Sequence, residues 1–179
     1  MTFYRRTPNR VGGGSKTNLN GLSFEGRTSL IDSLNLHPNI EIKNNNEIHF
    51  NGVIVGYYFE KHNFYTDFIE KHNVDWKQLI SKKYLPDGVF VNILIKKVFI
   101  IEKKFQESSG SVDEKLQTCD FKRKTYKKII EQTGFETEYF YLLNSWYERV
   151  EYKDVKEYIK SVGCNFFIDE IGLEELGIS

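Results

Sequence analysis

The stretch that decides the fold is Leu85-Pro-Asp-Gly-Val-Phe-Val-Asn-Ile-Leu-Ile-Lys-Lys-Val-Phe-Ile-Ile-Glu-Lys-Lys-Phe-Gln106. Its two apolar runs, Val89–Ile95 and Val98–Ile101, consist mostly of β-branched and aromatic residues and are too short to be independent helices. They predict two buried strands joined as a hairpin, with the turn centred between Leu94 and Ile95.

A turn at that point places Asp87 opposite Glu102 in an antiparallel register. Because side chains alternate along a strand, Glu102, Lys104 and Gln106 share one face with Ile100. We therefore expect two carboxylates and an ammonium group to meet at one end of a sheet.

Such a charged cluster indicates a chemical role. Charged groups beside a buried sheet lose hydration, and they persist only when they are paired or bind a metal. Two adjacent carboxylates repel each other, and a hard divalent cation such as Mg²⁺ removes that repulsion. A neighbouring lysine can orient or deprotonate a water molecule while the cation stabilises negative charge at phosphorus. The pattern predicts phosphodiester hydrolysis.

The spacing of the charged residues is similar to a known signature. Pro86-Asp87, followed by Glu102-Lys103-Lys104 fifteen residues after the aspartate, resembles the motif of the PD-(D/E)XK nuclease superfamily, in its type II restriction endonuclease branch. The resemblance implies that Asp87 and Glu102 bind Mg²⁺ or Mn²⁺. It also implies that Lys104 positions or activates the attacking water.

Two further residues join the site through the same resemblance. Nucleases of this superfamily often open with a helix that carries Gly-x-x-x-Glu, and Gly21 with Glu25 matches that pattern in a helix expected over 22–35. The resemblance implies that Glu25 and Gln106 support the metal site.

The remaining periodicities predict an α/β protein with a restriction-endonuclease-like core, a mixed central sheet flanked by helices. An antiparallel meander carries the site, and a crossover helix leads to parallel strands. The expected domain limits are a flexible basic arm over 1–20 and a single nuclease domain over 21–179. The other expected strands are Ile40–Lys43, Ile48–Phe50, Val53–Tyr58, Tyr139–Leu143 and Cys164–Ile168. One helix is expected to contain Phe64, Phe68 and Ile69, and further helices are expected over Trp76–Lys82, Ser111–Gly134 and 151–162.

The arm carries four cations and no acidic residue before position 20, namely Arg5, Arg6, Arg10 and Lys16. This composition favours contact with DNA phosphates or a DNA groove. A nucleotide-binding Walker loop is not indicated, because that motif requires glycine directly before the lysine and Ser15 intervenes here.

The segment after the motif is a second candidate DNA contact. It looks similar to loops that lie against the DNA backbone in some family members, and this implies contacts from Ser109, Ser111 and Lys115. A helix that begins at Ser111 also offers free N–H groups to a phosphate. Asp113 and Glu114 argue against this contact, because their charges repel an anion.

The helix that follows carries a cluster of cations: Lys122, Arg123, Lys124, Lys127 and Lys128. Two interpretations of this basic run stay open. It is either a solvated helix face or a patch that contacts phosphates and makes DNA binding salt-dependent.

Composition limits the function classes. The chain has 179 residues, 40% of them hydrophobic, which is typical of a globular domain with a real core. The formal net charge is zero, so overall charge gives no support to DNA binding and any such surface must come from local clustering.

Cysteine usage and hydropathy indicate the compartment. Cys119 and Cys164 stand alone, without Cys-x-x-Cys or a neighbouring histidine, so we expect buried free thiols and no zinc site or disulfide framework. No apolar run approaches the ~20 residues of a membrane span. The N-terminal residues lack the apolar core of a secretory signal. These features predict a cytoplasmic (intracellular) protein without a membrane partner.

Together these features predict a Mg²⁺-dependent type II restriction endonuclease that cuts double-stranded DNA at a specific sequence. A palindromic target would imply a homodimer, and a restriction activity would imply a cognate DNA methyltransferase as functional partner. Two alternatives remain. One is a structure-selective repair or junction-resolving nuclease, and the other is a catalytically silent DNA-binding module of the same fold.

Overall fold

The fold is built around the hairpin of β4 (Gly88–Asn92) and β5 (Lys97–Lys104). The two strands pair antiparallel, with Gly88 opposite Ile101. Continued by one residue, this register brings Asp87 opposite Glu102, as predicted. The structure is a computed structural model that describes residues 31, 34, 37–107 and 112–178. The side chains of residues 112 and 113 are not included in this description.

The turn of this hairpin begins earlier than predicted. The Asn92 side-chain oxygen accepts hydrogen bonds from the backbone N–H of Leu94 at 2.9 Å and of Ile95 at 3.2 Å. Lys96 then completes the turn in the left-handed region, with φ 51°. Because asparagine side chains stabilise such turns, the first strand ends at Asn92 and the expected strand Val89–Ile95 is too long.

β5 is longer than the predicted Val98–Ile101. It pairs on both of its edges, and all eight of its residues have a partner in the next strand of the sheet. This pairing keeps the charged residues after Ile101 in extended conformation although glutamate and lysine are poor strand formers. The extension carries Glu102 and Lys104 into the sheet.

Seven strands form one mixed sheet in chain order. Each pair of neighbouring strands from β1 to β5 is antiparallel, whereas the pairs β5–β6 and β6–β7 are parallel. The predicted α/β class with a mixed central sheet is therefore confirmed. The remaining strands are β1 (Ile40–Lys43), β2 (Glu47–Phe50), β3 (Val53–Phe59), β6 (Glu136–Leu143) and β7 (Asn165–Ile168).

Helices cover the sheet. α1 consists of three consecutive helical segments, Lys61–Asn63, Phe64–Ile69 and Glu70–His72. α2, α3 and α4 span Val112–Leu116, Cys119–Ile130 and Lys153–Ser161. Single 3₁₀ turns lie at Trp76–Gln78, Glu131–Thr133, Ser145–Glu148, Val150–Tyr152 and Glu174–Leu176.

The single long helix expected after Ser111 is divided in two. The Thr118 hydroxyl donates to the carbonyl of Lys115 at 2.7 Å, and the Tyr141 hydroxyl donates to the carbonyls of Lys115 and Leu116 at 3.1 and 3.3 Å. Side chains thus satisfy the carbonyls at the end of α2, and the helix stops there. α3 then starts at Cys119 as a separate element.

Two other helical predictions also change. Trp76–Lys82 forms only the 3₁₀ turn Trp76–Gln78, where the Asp75 carboxylate accepts from the N–H of Lys77. Of the helix expected over 22–35, Ile31 and Leu34 are described and helical, and the rest lies outside the described residues.

Both faces of the sheet are buried. One face carries Val98, Ile100 and Tyr139 against α1, α3 and α4, and Glu102 belongs to this face by alternation. The opposite face carries Phe99 and Ile101 against the C-terminal segment. The alternation predicted along β5 is confirmed for its apolar residues, with Ile100 on one face and Phe99 and Ile101 on the other.

Gly56 is a point where the sheet tolerates no side chain. A Cβ atom built there would lie 2.0 Å from the carbonyl oxygen of Val91 on the adjacent strand. We expect Gly56→Ala to lower the free energy of unfolding by about 3 kcal/mol, because the strands must separate to admit the methyl group. Urea denaturation measures the change.

The matched control is Gly172→Ala. A Cβ at Gly172 would meet ordinary van der Waals contacts, the nearest being the Glu174 side chain at 3.7 Å. Its free energy of unfolding should stay within about 0.5 kcal/mol of the parent. Equal stability of the two variants would contradict the close approach of β3 to β4.

Candidate active site

The residues of the predicted motif meet at one end of the central sheet. The Lys104 ammonium lies 3.1 Å from the Glu102 carboxylate and 3.7 Å from the Asp87 carboxylate. The Asp87 carboxylate also accepts a hydrogen bond from the backbone N–H of Lys103 at 2.9 Å. Asp87 precedes β4 and the other residues end β5, so the hairpin register itself assembles the cluster.

Burial differs sharply among these charges. The Glu102 side chain is 5% exposed, Lys104 is 16% exposed and Asp87 is 27% exposed. A carboxylate as buried as that of Glu102 is stable only when cations and donors compensate its lost hydration. Asp87 and Lys104 remain reachable from solvent.

Buried tyrosines lie beneath Glu102. Burial and then the charge of Glu102 raise the pKa of Tyr126 and the pKa of Tyr139 far above the usual value. These hydroxyls therefore stay neutral, and they add no negative charge beside the carboxylates.

A second lysine, which the sequence motif does not include, reaches the site from α3. The Lys122 ammonium lies 3.0 Å from Glu102 Oε2, the same oxygen that contacts Lys104. A signal for this position was present in the sequence. Lys122 follows Cys119 by three residues and precedes Tyr126 by four, and helical spacing puts all three on one face.

Oxygen atoms surround Lys104, and two of them belong to carboxylates, which a hard divalent cation can use as ligands. Its ammonium lies within 4 Å of three oxygens, those of Asp87 Oδ2, Glu102 Oε2 and the Lys103 carbonyl, the last at 2.8 Å. Carboxylate and carbonyl oxygens are the ligands that Mg²⁺ prefers, and this ion is usually bound through one or two carboxylates together with water and phosphate.

The expected third acidic residue, Glu25, lies outside the described residues. Within the described ranges there is no group of three or more histidine, cysteine, aspartate or glutamate side chains placed to hold a metal. The candidate metal ligands among these ranges are thus the carboxylates of Asp87 and Glu102.

Gln106 is buried, and its backbone is fixed next to the site. Its N–H donates to the Asn144 side chain at 3.2 Å, and the Asn144 amide donates back to the Gln106 carbonyl at 2.9 Å. Asn144 directly follows β6, so this pair ties the chain leaving β5 to the neighbouring strand. No local sequence pattern indicates this partner, because the two residues are far apart in the chain.

The predicted DNA contacts are largely outside the described ranges. Lys115 is described, and it is exposed on α2. The positions that the structure does not describe are Arg5, Arg6, Arg10, Lys16, Ser109 and Ser111.

The basic run does not act as one surface. Lys124 pairs with Asp120 at 2.7 Å, whereas Lys122 pairs with the sheet. Lys127 pairs with Glu131 at 3.3 Å. Two of the three paired lysines are therefore neutralised by acids of their own helix or its last turn, and one belongs to the candidate site.

The two cysteines are free and buried, as predicted. Within the described part of the chain, no helix has the length and apolar character needed to cross a membrane. A cavity of about 880 Å³ lies elsewhere, where Tyr57, His72 and Phe135 are among its lining residues, and none of the charged residues of the motif lines it.

Comparison of the chain with protein families, with curated proteins and with solved structures finds no match. The α/β class stands on the structure itself. Membership of the PD-(D/E)XK superfamily stays a prediction that rests on the motif residues and their geometry.

The oxygen cluster leads to a metal-binding prediction. Mg²⁺ at about 100 times its dissociation constant should stabilise the protein by about 2.7 kcal/mol and raise the melting temperature by about 5–11 °C. Asp87→Asn and Glu102→Gln should lose this response, because each removes a charged ligand. Differential scanning calorimetry in Mg²⁺ and in EDTA provides the measurement. Glu131→Gln, in the 3₁₀ turn that follows α3, is the matched control because its side chain is exposed and away from Glu102. An equal response in all variants would place the metal elsewhere.

Tyrosine burial leads to a pH prediction. Burial raises the pKa of Tyr65 to about 12, and burial likewise raises the pKa of Tyr126, Tyr139 and Tyr141. Because an unfolded tyrosine has a pKa of about 10, the stability that these groups provide is complete below pH 10 and falls as the pH rises above it, and the part from Tyr65 is lost as the pH rises through about 12.

Absorbance at 295 nm during an alkaline titration checks this. We expect a first group of tyrosines to ionise near pH 10 and a second group to ionise only together with unfolding, as followed by circular dichroism. A single transition of all eleven tyrosines near pH 10, with the fold intact, would contradict the burial.

Proposed function

We propose that the protein is a metal-dependent endonuclease that hydrolyses phosphodiester bonds in double-stranded DNA, of type II restriction type. One observation carries the proposal: two carboxylates and a backbone carbonyl converge on a single cationic nitrogen at the end of the central hairpin. The same residues match the order and spacing of the nuclease motif.

Asp87 and Glu102 would hold Mg²⁺, which when bound supplies Lewis-acid stabilisation of the charge that develops on the phosphate. The backbone N–H of Lys103 orients the Asp87 carboxylate. The Lys103 carbonyl accepts a hydrogen bond from the Lys104 ammonium and keeps that lysine beside the carboxylates. The hairpin therefore holds both carboxylates and Lys104 in place before any cation arrives.

Lys104 would act on the attacking water. Its ammonium is held at Glu102 and near Asp87, where it can orient a water molecule toward phosphorus or stabilise the hydroxide formed from it. The water gives up a proton to solvent, one P–O bond to its oxygen forms as the P–O bond to the leaving sugar oxygen breaks, and the sugar oxygen takes a proton from solvent. The buried neutral tyrosines under Glu102 lower the local dielectric and strengthen these interactions.

The restriction assignment also proposes partners. Recognition of a palindromic sequence is best matched by a homodimer, since a two-fold protein presents the same side chains to both half-sites. A host that contains a restriction enzyme would need a cognate methyltransferase to protect its own DNA from cleavage. Gln106 and Glu25 remain proposed supporting residues.

The cleavage assay uses a long plasmid or phage duplex with Mg²⁺. We expect discrete fragments from the parent protein, and a rate lowered by about 10²–10⁴-fold in Asp87→Asn, Glu102→Gln and Lys104→Met, because each removes a ligand or the water-positioning group. Glu131→Gln is the control for charge removal and should cut normally.

The substrates separate the competing functions. Cutting of branched DNA without cutting of plain duplex would replace the restriction assignment with a junction-resolving one. Binding of DNA with no cutting of any substrate would indicate a binding module. Cleavage that persists in all three site variants would show that another group performs the reaction.

A further inference from the structure

We propose that Lys122 is an additional catalytic residue, which binds the phosphate group at the cleavage position and, before that, serves as a counter-ion that the metal displaces from Glu102. This inference rests on the proposed nuclease function. It is carried by the contact between α3 and the end of β5.

The two ammonium groups at Glu102 are held in different ways. Lys104 contacts three oxygens, two from carboxylates and one from the backbone of Lys103. Among the described residues Lys122 has a single polar partner, Glu102, and its side chain is 26% exposed. When a cation binds Glu102, Lys122 therefore loses fewer contacts than Lys104 would by leaving the carboxylate. Its side chain can then turn toward solvent and substrate.

The charges support a phosphate as its second partner. Asp87 and Glu102 together carry two negative charges, and Lys104 with Lys122 carries two positive charges, so the cluster is neutral. A divalent cation gives the site two surplus positive charges. A phosphodiester is a monoanion that gains a second negative charge as the hydroxide formed from the attacking water bonds to phosphorus, and groups aimed at this developing charge accelerate the reaction.

The position of Lys122 is fixed relative to the metal ligands. Tyr126, one helical turn later, donates its hydroxyl to the Tyr84 carbonyl at 3.1 Å. Tyr84 is also held by Tyr65, which donates to the same carbonyl at 2.9 Å. Because Tyr84 lies just before Asp87, the loop that delivers the carboxylate and the helix that delivers Lys122 are anchored to each other.

The chain provides a matched control on the same helix. Lys127 is a residue of the same type that pairs with Glu131 at 3.3 Å and has a side chain 47% exposed. Lys127→Met removes the same charge from α3 without touching Glu102. A difference between Lys122→Met and Lys127→Met thus reports on the site and not on the overall charge.

The first test measures metal binding without DNA. Mn²⁺ is titrated into the parent protein and both variants, and free Mn²⁺ is followed by electron paramagnetic resonance. We expect Lys122→Met to bind Mn²⁺ about tenfold more tightly, because a competing positive charge at Glu102 is gone. Lys127→Met should match the parent. Unchanged or weaker binding by a folded Lys122→Met would overturn the counter-ion role.

The second test measures cleavage at saturating Mg²⁺. We expect Lys122→Met to lower kcat by about 10²-fold although it binds metal more tightly, since a donor to the developing charge is lost. Lys122→Arg, which keeps the charge, should recover a large part of the rate and the parent's metal affinity. This pair of opposite changes in metal affinity and in kcat distinguishes catalysis from a structural role, which would weaken both.

The outcomes separate this inference from the proposed function. If the parent cuts DNA and Lys122→Met cuts at the same rate, the role of Lys122 is wrong and the nuclease function stands. If the parent neither binds Mn²⁺ nor cuts any DNA, the nuclease function is wrong and the role of Lys122 falls with it. Circular dichroism and the melting temperature establish that each variant is folded, and Lys122→Arg serves where the methionine variant is not.

Discussion

The buried carboxylate of Glu102 is the constraint on which this end of the molecule depends. Removing such a group from water costs several kcal/mol unless it is compensated. Compensation comes from two ammonium groups on one oxygen, one from its own strand and one from α3. The packing of α3 on the sheet and the charge state of the site are therefore not independent. The helix is held by tyrosine and isoleucine packing below Lys122, and it delivers a cation where the sheet places an anion.

Two-sided pairing of β5 makes that arrangement possible. A strand that ends in Glu-Lys-Lys would fray if its edge were free, because these residues have weak strand propensity. Here β4 pairs with its first half and β6 pairs along its full length. At the charged end β6 continues the pairing, and on the other side the Asp87 carboxylate accepts from the N–H of Lys103. In the proposed nuclease this order would favour catalysis, since ligands that are already in place do not have to be ordered when metal and substrate bind.

Sequence reasoning succeeded where the determining interactions are local. The register that joins Asp87 to Glu102 follows from two short apolar runs and a turn between them, and alternation then assigns Glu102 and Lys104 to one face. It failed where side-chain hydrogen bonds decide where an element ends. Asn92 shortens the first strand by a local hydrogen bond within the turn, which the apolar pattern did not indicate, and Tyr141 ends α2 by reaching its carbonyls from a distant strand.

The candidate site likewise contains residues that the sequence predicted and one that it did not. Asp87, Glu102 and Lys104 belong to one hairpin, whose pattern predicted their meeting. Lys122 arrives from a helix, and its distance from Glu102 depends on how α3 crosses the sheet, which helical spacing alone does not determine. Lys122 also belongs to a basic run, and the side chains of such runs are usually solvated. The side chains of Lys124 and Lys127 are solvated in this way, so the run did not single out Lys122 as a site residue.

The zero net charge of the chain is compatible with an anionic substrate once the charges are located. A uniformly basic surface attracts DNA everywhere, and binding then depends mainly on counterion release rather than on position. In this protein, described lysines of α3 are largely neutralised by acidic neighbours, and the surplus positive charge proposed for catalysis exists only when a divalent cation joins Asp87 and Glu102. In the proposed nuclease, attraction for phosphate would be concentrated beside Asp87 and Glu102 and would depend on the metal. The affinity for DNA would be coupled to metal occupancy, because a metal that displaces Lys122 from Glu102 frees this lysine to bind phosphate.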